Sequence, residues 1–394
     1  MSQSVLVINC GSSSIKFALY PTPQATEPTI KALAERLGED EPQLTLETTQ
    51  RQTLSLAAQA THKDALECFI DHCRDDLQQL AGIGHRVVHG GESFSQSTLL
   101  GDDEITRLQQ ISDLAPLHNP VNLLGIELCR QLKPEVANVA VFDTAFHQTI
   151  PEHTYLYAVP YDWYQQAGVR RYGFHGTSYR YVAAETARRL ERNSDDLNLI
   201  IAHLGNGCSA CAISQGQSVD TTMGLTPLEG LVMGSRSGDI DPGLADYMVS
   251  HQDMTLEQVM TELNRNSGLK GLSGLSNDMR TLLQAEANGD ASAKRAIDVF
   301  CFRTARQLAA LSTSLSTIDA IVFTGGIGEH ASEIRRRIIA AWRSLPCRLD
   351  SALNAANGDE RGLITPPGVQ PVMVVPTNEE LMIARDTYQL VNHD

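Results

Sequence analysis

The stretch VLVINCGSSSIKFALY, residues 5–20, sets two β-prone runs on either side of a small polar tip. The same plan returns in the second half of the chain as LIIAHLGNGCSACAIS, residues 199–214. One hairpin plan used once in each half constrains the fold more than any other feature, because it reads as a single supersecondary unit duplicated. A hairpin turn needs only two to five residues. Asn9 to Lys16 offers more than that: backbone N–H groups, three hydroxyls, an amide and an ammonium. A third glycine-rich tip, DAIVFTGGIGEHASEIR at 319–335, follows a strand and opens a helix. Helix N-termini and exposed backbone N–H groups attract anions, since peptide dipoles and unpaired donors point there. Loop chemistry accounts for any one tip. Three of them at strand ends in one acidic chain favour a polyphosphate held between two domains.

At 394 residues the chain exceeds the size at which single cores usually stop growing, so two domains are expected. With 42% hydrophobic and 20% charged residues it reads as globular. A formal net charge of −16 argues against a general nucleic-acid binder but not against a local nucleotide site. No apolar run approaches the ~20 residues of a membrane helix. The first apolar stretch alternates like a strand and lacks a basic n-region, so no signal peptide is read and a cytoplasmic location is expected. The eight cysteines do not make a disulfide framework in a chain this long. Cys208 and Cys211 have metal-ligand spacing, but on a strand residues three apart face opposite ways, so ordinary buried thiols are expected.

Apolar spacing predicts a helix over 64–80, and Asn119-Pro120 predicts a helix start with Asn119 as the cap. Residues 136–146 read as an apolar strand running into Asp143, and Thr177 or Ser178 can cap a helix running to about 191. A long helix is expected around 290–316, followed by the strand in DAIVFTGG, and the chain closes with a strand and a helix. Neither G-x-x-x-x-G-K-[ST] nor a properly spaced G-x-G-x-x-G is present, which disfavours a P-loop fold and a Rossmann dehydrogenase.

Candidate chemistry lies in GHRVVHGGE (84–92) with Arg86, LAPLHNP (114–120) with His118, and VFDTAFHQT (141–149) with Asp143. RRYGFHGTS (170–178) adds His175, and TPLEGLVMGSRSGDIDP (226–242) adds Arg236 on a long Gly/Ser/Pro loop. Each has an ordinary explanation alone: a strand Arg paired with a carboxylate, a core histidine, a capping Asp. The loop is harder to dismiss, because long structureless loops in compact domains are usually functional.

With VINCGSSSIKF, GHRVVHGGE, APLHNP, VFDTAFHQTIP, RRYGFHGTS, AHLGNG, TPLEGLVMGSRSGDIDP, SGLSND, FTGGIGE and PTNEEL in this order over residues 5–382, the sequence resembles the acetate/propionate kinase family. These are short-chain carboxylate kinases of the sugar kinase, Hsp70 and actin superfamily. The resemblance implies an α/β, two-domain, duplicated ribonuclease-H-like (actin-like ATPase) fold with an interdomain cleft. It places an N-terminal domain at 1–148, completed by a C-terminal helix at 379–394, and a second domain at 149–378. The implied reaction is reversible in-line phosphoryl transfer from ATP to acetate, giving acetyl phosphate and ADP, with a homodimer and Mg²⁺ or Mn²⁺ as cofactor. Propionate kinase with broad short-chain specificity is the alternative.

By the same resemblance, Asn9 and Glu379 would position the metal, and Ser12, Ser14 and Lys16 would face the phosphates. His203, Leu204, Gly205, Asn206 and Gly207 would approach the β- and γ-phosphates. Asp278, Met279 and Arg280, with Gly326, Ile327, Gly328, Glu329 and His330, would hold the adenosine. Arg86, Arg236 and His175 would bind the carboxylate and the transferring phosphoryl, with Asp143 orienting Arg86 or acting as acid/base. Val88, Leu117, His118, Phe174 and Pro227 would line the substrate pocket. The physical logic agrees. A carboxylate and a nucleotide repel each other, so the site must supply positive charge where they meet. The nucleophile is already ionised at neutral pH, which favours Asp143 as an orienter. Relatives usually read His where Tyr179 stands and Asn where His330 stands, and a bulkier residue where Met279 stands. Tyr179 is therefore expected to be tolerated behind His175, and base preference is less constrained than nucleotide binding. Propionate-preferring relatives tend to carry Ala at the position of Val88, so the valine favours acetate. Of two other classes, a nucleotide-gated binding module gives no reason for two arginines and a histidine on cleft loops, and a phosphate-ester hydrolase using Asp143 and His175 is separated from a kinase by whether ADP is required as acceptor for acetyl phosphate.

Overall fold

A computed structural model describes residues 4–116 and 118–392, so Leu117 lies outside the described residues. The chain forms two units, one running up to Phe146 and resuming at Asn378, the other spanning His147–Thr377.

In the first unit β1 (Ser4–Gly11) and β2 (Ser14–Tyr20) pair antiparallel, with Gly11 opposite Ser14. The tip is therefore Ser12 and Ser13, both exposed. The meander continues through β3 (Ile30–Glu35), β4 (Gln43–Glu47) and β5 (Arg51–Ser55). On the other edge of β1, β6 (Leu80–Val87) runs parallel to it. β7 (Thr98–Leu99) is antiparallel to β8 (Ala137–Phe142), which is itself parallel to β6. The sheet order is β5-β4-β3-β2-β1-β6-β8-β7. The stacked rings of Phe17 and Phe69, 4.1 Å apart, lie in the core between this sheet and the helix His62–His72.

That helix is shorter than the apolar spacing predicts. Cys73 leaves helical dihedrals, and Leu80 opens β6 instead of closing a further turn. Asp75 and Asp76 follow the end of the helix, where the peptide dipoles disfavour negative charge. Leu77 is still buried, so the hydrophobic spacing is satisfied by a turn.

Close approaches hold two further helices to the sheet. A Cβ on Gly125, in the helix Asn119–Leu132, would sit 2.4 Å from Cys10 Sγ of β1. A Cβ on Gly84 of β6 would sit 2.3 Å from Thr387 Oγ1 in the C-terminal helix Glu379–Val391. His118, not Asn119, occupies the cap position of the first of these helices. The Asn119 side chain is spent elsewhere, accepting from the His89 N–H and donating to the His89 carbonyl.

The second unit repeats the plan. β9 (Asn198–Leu204), β10 (Cys208–Ser214) and β11 (Gln217–Thr221) form an antiparallel meander. β12 (Ala320–Thr324) and β13 (Val372–Val374) extend it in parallel from β9, giving the order β11-β10-β9-β12-β13. This is the order β3-β2-β1-β6-β8 of the first unit, so the α/β fold is duplicated and ribonuclease-H-like in both units, as in actin-like ATPases. The helix Gly176–Leu190 leads into β9, and Ala291–Leu311 separates the meander from β12. Neither Thr177 nor Ser178 caps the former: His175 stands at the cap with φ 59°, and Ser178 lies in the first turn. Among the described residues no helix is long and apolar enough to cross a membrane.

Candidate active site

In the first unit the hairpin tip, the end of β6 and the start of the helix Asn119–Leu132 enclose a cavity of about 220 Å³. Its lining includes Asn9, Ser12, Ser14, Lys16, Arg86, Val88 and His118. Arg86 and Asp143 form a two-point fork, Nε to Oδ1 at 3.1 Å and Nη2 to Oδ2 at 2.6 Å. Asp143 is 1% exposed and Arg86 23%, so the carboxylate is the wall and the guanidinium the face. The remaining Nη1 donates to Asn9 Oδ1 at 3.4 Å. Burial works against the charge on Arg86, but the Asp143 and Glu379 carboxylates outweigh it and raise the guanidinium above its ordinary value. Burial likewise raises the Asp143 carboxyl, against the lowering by Arg86. A planar fork matched to a carboxylate fixes the arginine's direction as well as its charge.

Asn122 builds this site without having been singled out in the sequence. Its Oδ1 accepts from the Val88 N–H at 3.0 Å and its Nδ2 donates to the Cys10 carbonyl at 2.9 Å. It ties the end of β6 to the end of β1. The only sequence signal is its place three residues past Asn119 in the same helix, on the face turned to the sheet.

In the second unit His203 and Leu204 close β9, and residues 205–207 form the tip. The His175 ring stacks on that of His203 with centroids 4.3 Å apart. A Cβ built on Gly207 would lie 3.5 Å from His175 Nε2 and 3.9 Å from Arg236 Nη1, so the tip, the imidazole and the guanidinium converge. Arg236 donates from Nη1 to the Pro227 carbonyl at 2.8 Å. Its loop, residues 222–242, is held down by Arg171, which pairs with Glu229 at 2.6 Å and donates to the Thr222 and Met223 carbonyls. Phe174 is buried, and Pro227 is half-buried on the loop. Leu204 is fully buried, so its side chain supports the tip from within.

Asp278 caps the helix Met279–Ala287 and pairs with Arg280 at 2.6 Å; that hydrogen bond lowers the Asp278 carboxyl to about 2. Arg280 points outward and Met279 is buried beneath. Gly326 and His330 are exposed on the short helix Gly325–His330, Ile327 is half-buried and Gly328 is buried. Glu329 turns the other way. Its Oε1 accepts from the Gly325 N–H at 2.9 Å and the Thr377 N–H at 3.2 Å. Gly325 has φ +76°, and a Cβ there would meet the Leu204 carbonyl at 2.8 Å, which brings this segment against β9. Arg335 was not legible as a site residue. It is fully buried and donates to the Gly328 and Glu329 carbonyls and to Asn354 and Asn357, with burial lowering it to about 10. It fixes the same tip from behind.

Cys208 and Cys211 are buried; burial raises the Cys208 thiol to about 12 and the Cys211 thiol further. All eight cysteines are free thiols.

The model of the acetokinase family matches residues 4–385 of the chain. An acetate kinase of Stutzerimonas stutzeri (strain A1501) is 50% identical, with 99% of each chain covered. A solved structure of a propionate kinase from Francisella tularensis superposes with a TM-score of 0.94 at 42% identity, covering 98% of both chains. The acetate kinase of Porphyromonas gingivalis superposes at 0.92 and 38% identity, covering 99% of this chain and 100% of that one.

Proposed function

The chain belongs to the acetokinase family, and from that premise we propose how its residues divide the transfer of a phosphoryl group from ATP to acetate. The reaction is a kinase reaction in which a carboxylate oxygen attacks the γ-phosphorus, the bond to the β,γ-bridging oxygen breaks, and acetyl phosphate and ADP result. It runs in both directions. The observation that carries the assignment is the Arg86–Asp143 fork on the wall of a cavity of about 220 Å³ that also presents the serine tip. Arg86, aimed by Asp143, binds the acetate carboxylate and shares the charge that builds up on the transferring group. Asp143 stays a carboxylate orienter, since acetate needs no base at neutral pH. Val88 and His118 bound the space for the methyl group, to which Leu117, Phe174 and Pro227 are assigned as well.

In the second unit His175 and Arg236 add donors for the phosphoryl oxygens, supported by their convergence at Gly207. The tip 205–207 and Ser12, Ser14 and Lys16 receive the phosphates. Asp278 to Arg280 and Gly326 to His330 receive the nucleoside, with Glu329 shaping the tip through its backbone contacts. Phosphoryl transfer asks mainly for such positioning and charge stabilisation. Asn9 and Glu379 would hold Mg²⁺; an amide oxygen and a carboxylate are the hard donors that this ion takes. When bound, the ion neutralises charge on the β- and γ-phosphates.

A homodimer belongs to the same reading. It is supported by the helix Gly243–His251, which buries none of its residues and exposes Leu244, Tyr247 and Val249. A monomeric mass by light scattering at micromolar concentration rejects it. A cytoplasmic location is supported by the free thiols, which oxidising compartments do not favour.

The test is kcat/KM for acetate, propionate and butyrate with Mg-ATP, trapping the acyl phosphate with hydroxylamine. An acetate preference of about tenfold or more is expected, as one methylene is worth ~1–3 kcal/mol in such a pocket. Val88→Ala narrows or reverses it. A propionate preference in the unmodified enzyme would move the chain to the activity of its Francisella neighbour. No acyl phosphate from any acid would reject the residue assignment.

A further inference from the structure

Behind His175, Tyr179 and Ser209 form a buried relay that the catalytic assignment above does not use. Tyr179 and Ser209 are fully buried. The Tyr179 hydroxyl meets Ser209 Oγ at 2.5 Å, and Ser209 Oγ meets His175 Nδ1 at 2.8 Å. In one of the two directions these contacts allow, the phenol gives its proton to Ser209 Oγ and the serine gives its own to Nδ1. Chemical preference selects that direction: a phenol is more acidic than an aliphatic hydroxyl, and an imidazole nitrogen is a better acceptor than either oxygen. The chain of donors therefore ends on Nδ1 of His175 as acceptor. In neutral imidazole the proton is left on Nε2, the nitrogen that lies toward Gly207 and Arg236. The neighbouring imidazole also has a hydroxyl pair behind it, with Ser178 Oγ at 2.9 Å from His203 Nδ1 and Thr377 Oγ1 at 2.7 Å from that serine.

We propose that Tyr179, acting through Ser209, is a positioning residue that locks His175 into the Nε2–H tautomer and points this N–H at the phosphate-facing hairpin. What the N–H donates to, the transferring phosphoryl, rests on the reading of the site given above; the tautomer does not. The sequence expectation is that the tyrosine is tolerated behind the histidine; on this proposal it has a role there. Its hydroxyl decides which ring nitrogen carries the proton.

Long-range ¹H–¹⁵N spectra of the full-length enzyme labelled at its histidines, at about pH 8 where imidazoles are neutral, read the tautomer directly. His175→Gln identifies the resonances. The expected result is a protonated Nε2 and an unprotonated Nδ1 at His175, becoming a mixture in Tyr179→Phe. That variant is expected to lose about tenfold in kcat while KM for ATP stays within about twofold. A protonated Nδ1 in the unmodified enzyme overturns the proposal, and this reading stands even if the variant does not fold. So does a Tyr179→Phe enzyme with tautomer and kcat both unchanged. A shifted tautomer with unchanged turnover would keep the relay and reject the role given to His175, which separates the two failures.

Discussion

Arg86 and Asp143 stand 57 positions apart in sequence and 2.6 Å apart in space. The register of β6 on β8 brings them together, pairing Arg86 with Val141 so that Asp143 follows just past the strand end. A guanidinium held this way presents one edge to its partner and the other to a ligand, which a lysine cannot reproduce. At this scale the prediction concerns the two arginines separately. Arg86→Ala and Arg236→Ala should each lower kcat/KM for acetate by about 10²-fold or more, as expected for lost donors to developing charge. ATP affinity by calorimetry should stay within about threefold. Turnover within twofold of the unmodified enzyme in either variant would remove that arginine from the mechanism. Arg86 and Arg236 were readable from their segments, because a guanidinium in an apolar strand or on a long Gly/Pro loop is conspicuous. Arg335 was not, since a buried arginine serving carbonyl and amide oxygens looks like any surface arginine of an amphipathic helix until the fold is known.

Among the elements, the hairpins and the parallel strands were legible from apolar runs bounded by small polar residues, and most helix boundaries fell within a few residues of their spacing. The exceptions have local causes. The helix His62–His72 ends early beside two aspartates, and His175 takes the cap position expected of Thr177 or Ser178, while Ser178 bonds to His203 and Thr377. Gly84 carries the prediction at this scale. Its missing Cβ makes room for Thr387 Oγ1 and Ile383 Cγ2, 2.3 and 2.7 Å from where it would stand. Gly84→Ala should therefore cost about 1–3 kcal/mol by overpacking the C-terminal helix against β6. Urea unfolding measures it, and an unchanged midpoint would show that this helix moves aside freely.

For the molecule as a whole, two histidines buried outside the site couple stability to pH. His85, bonded to Asn138 Oδ1 at 2.7 Å, and His147, with Ser218 at 2.7 Å and the Phe174 carbonyl at 3.0 Å, are both lowered to about 4 by burial. Unfolded histidines take up a proton near pH ~6.5. Between that pH and about 4 the unfolded state binds more protons than the folded one. Stability is therefore full above the unfolded value and falls on acidification through this window, by about 3 kcal/mol per histidine. Urea midpoints measured across the window should fall steeply, and less steeply in His85→Asn. A flat profile would mean that these imidazoles are reached by water.

The sequence by itself determined the duplication, the strand-and-tip grammar of each half and the segments that carry charge. Those are properties of local pattern, legible because hydrophobic period and turn chemistry act over a few residues. Tertiary structure decided what each polar atom does once it is there. It turned Glu329 inward onto Gly325 and Thr377, placed Asn122 between β1 and β6, and set a tyrosine and a serine behind His175. Each of these is a contact between distant segments whose partner is chosen by strand register and helix packing. A buried polar group must find a partner, but only the fold says which.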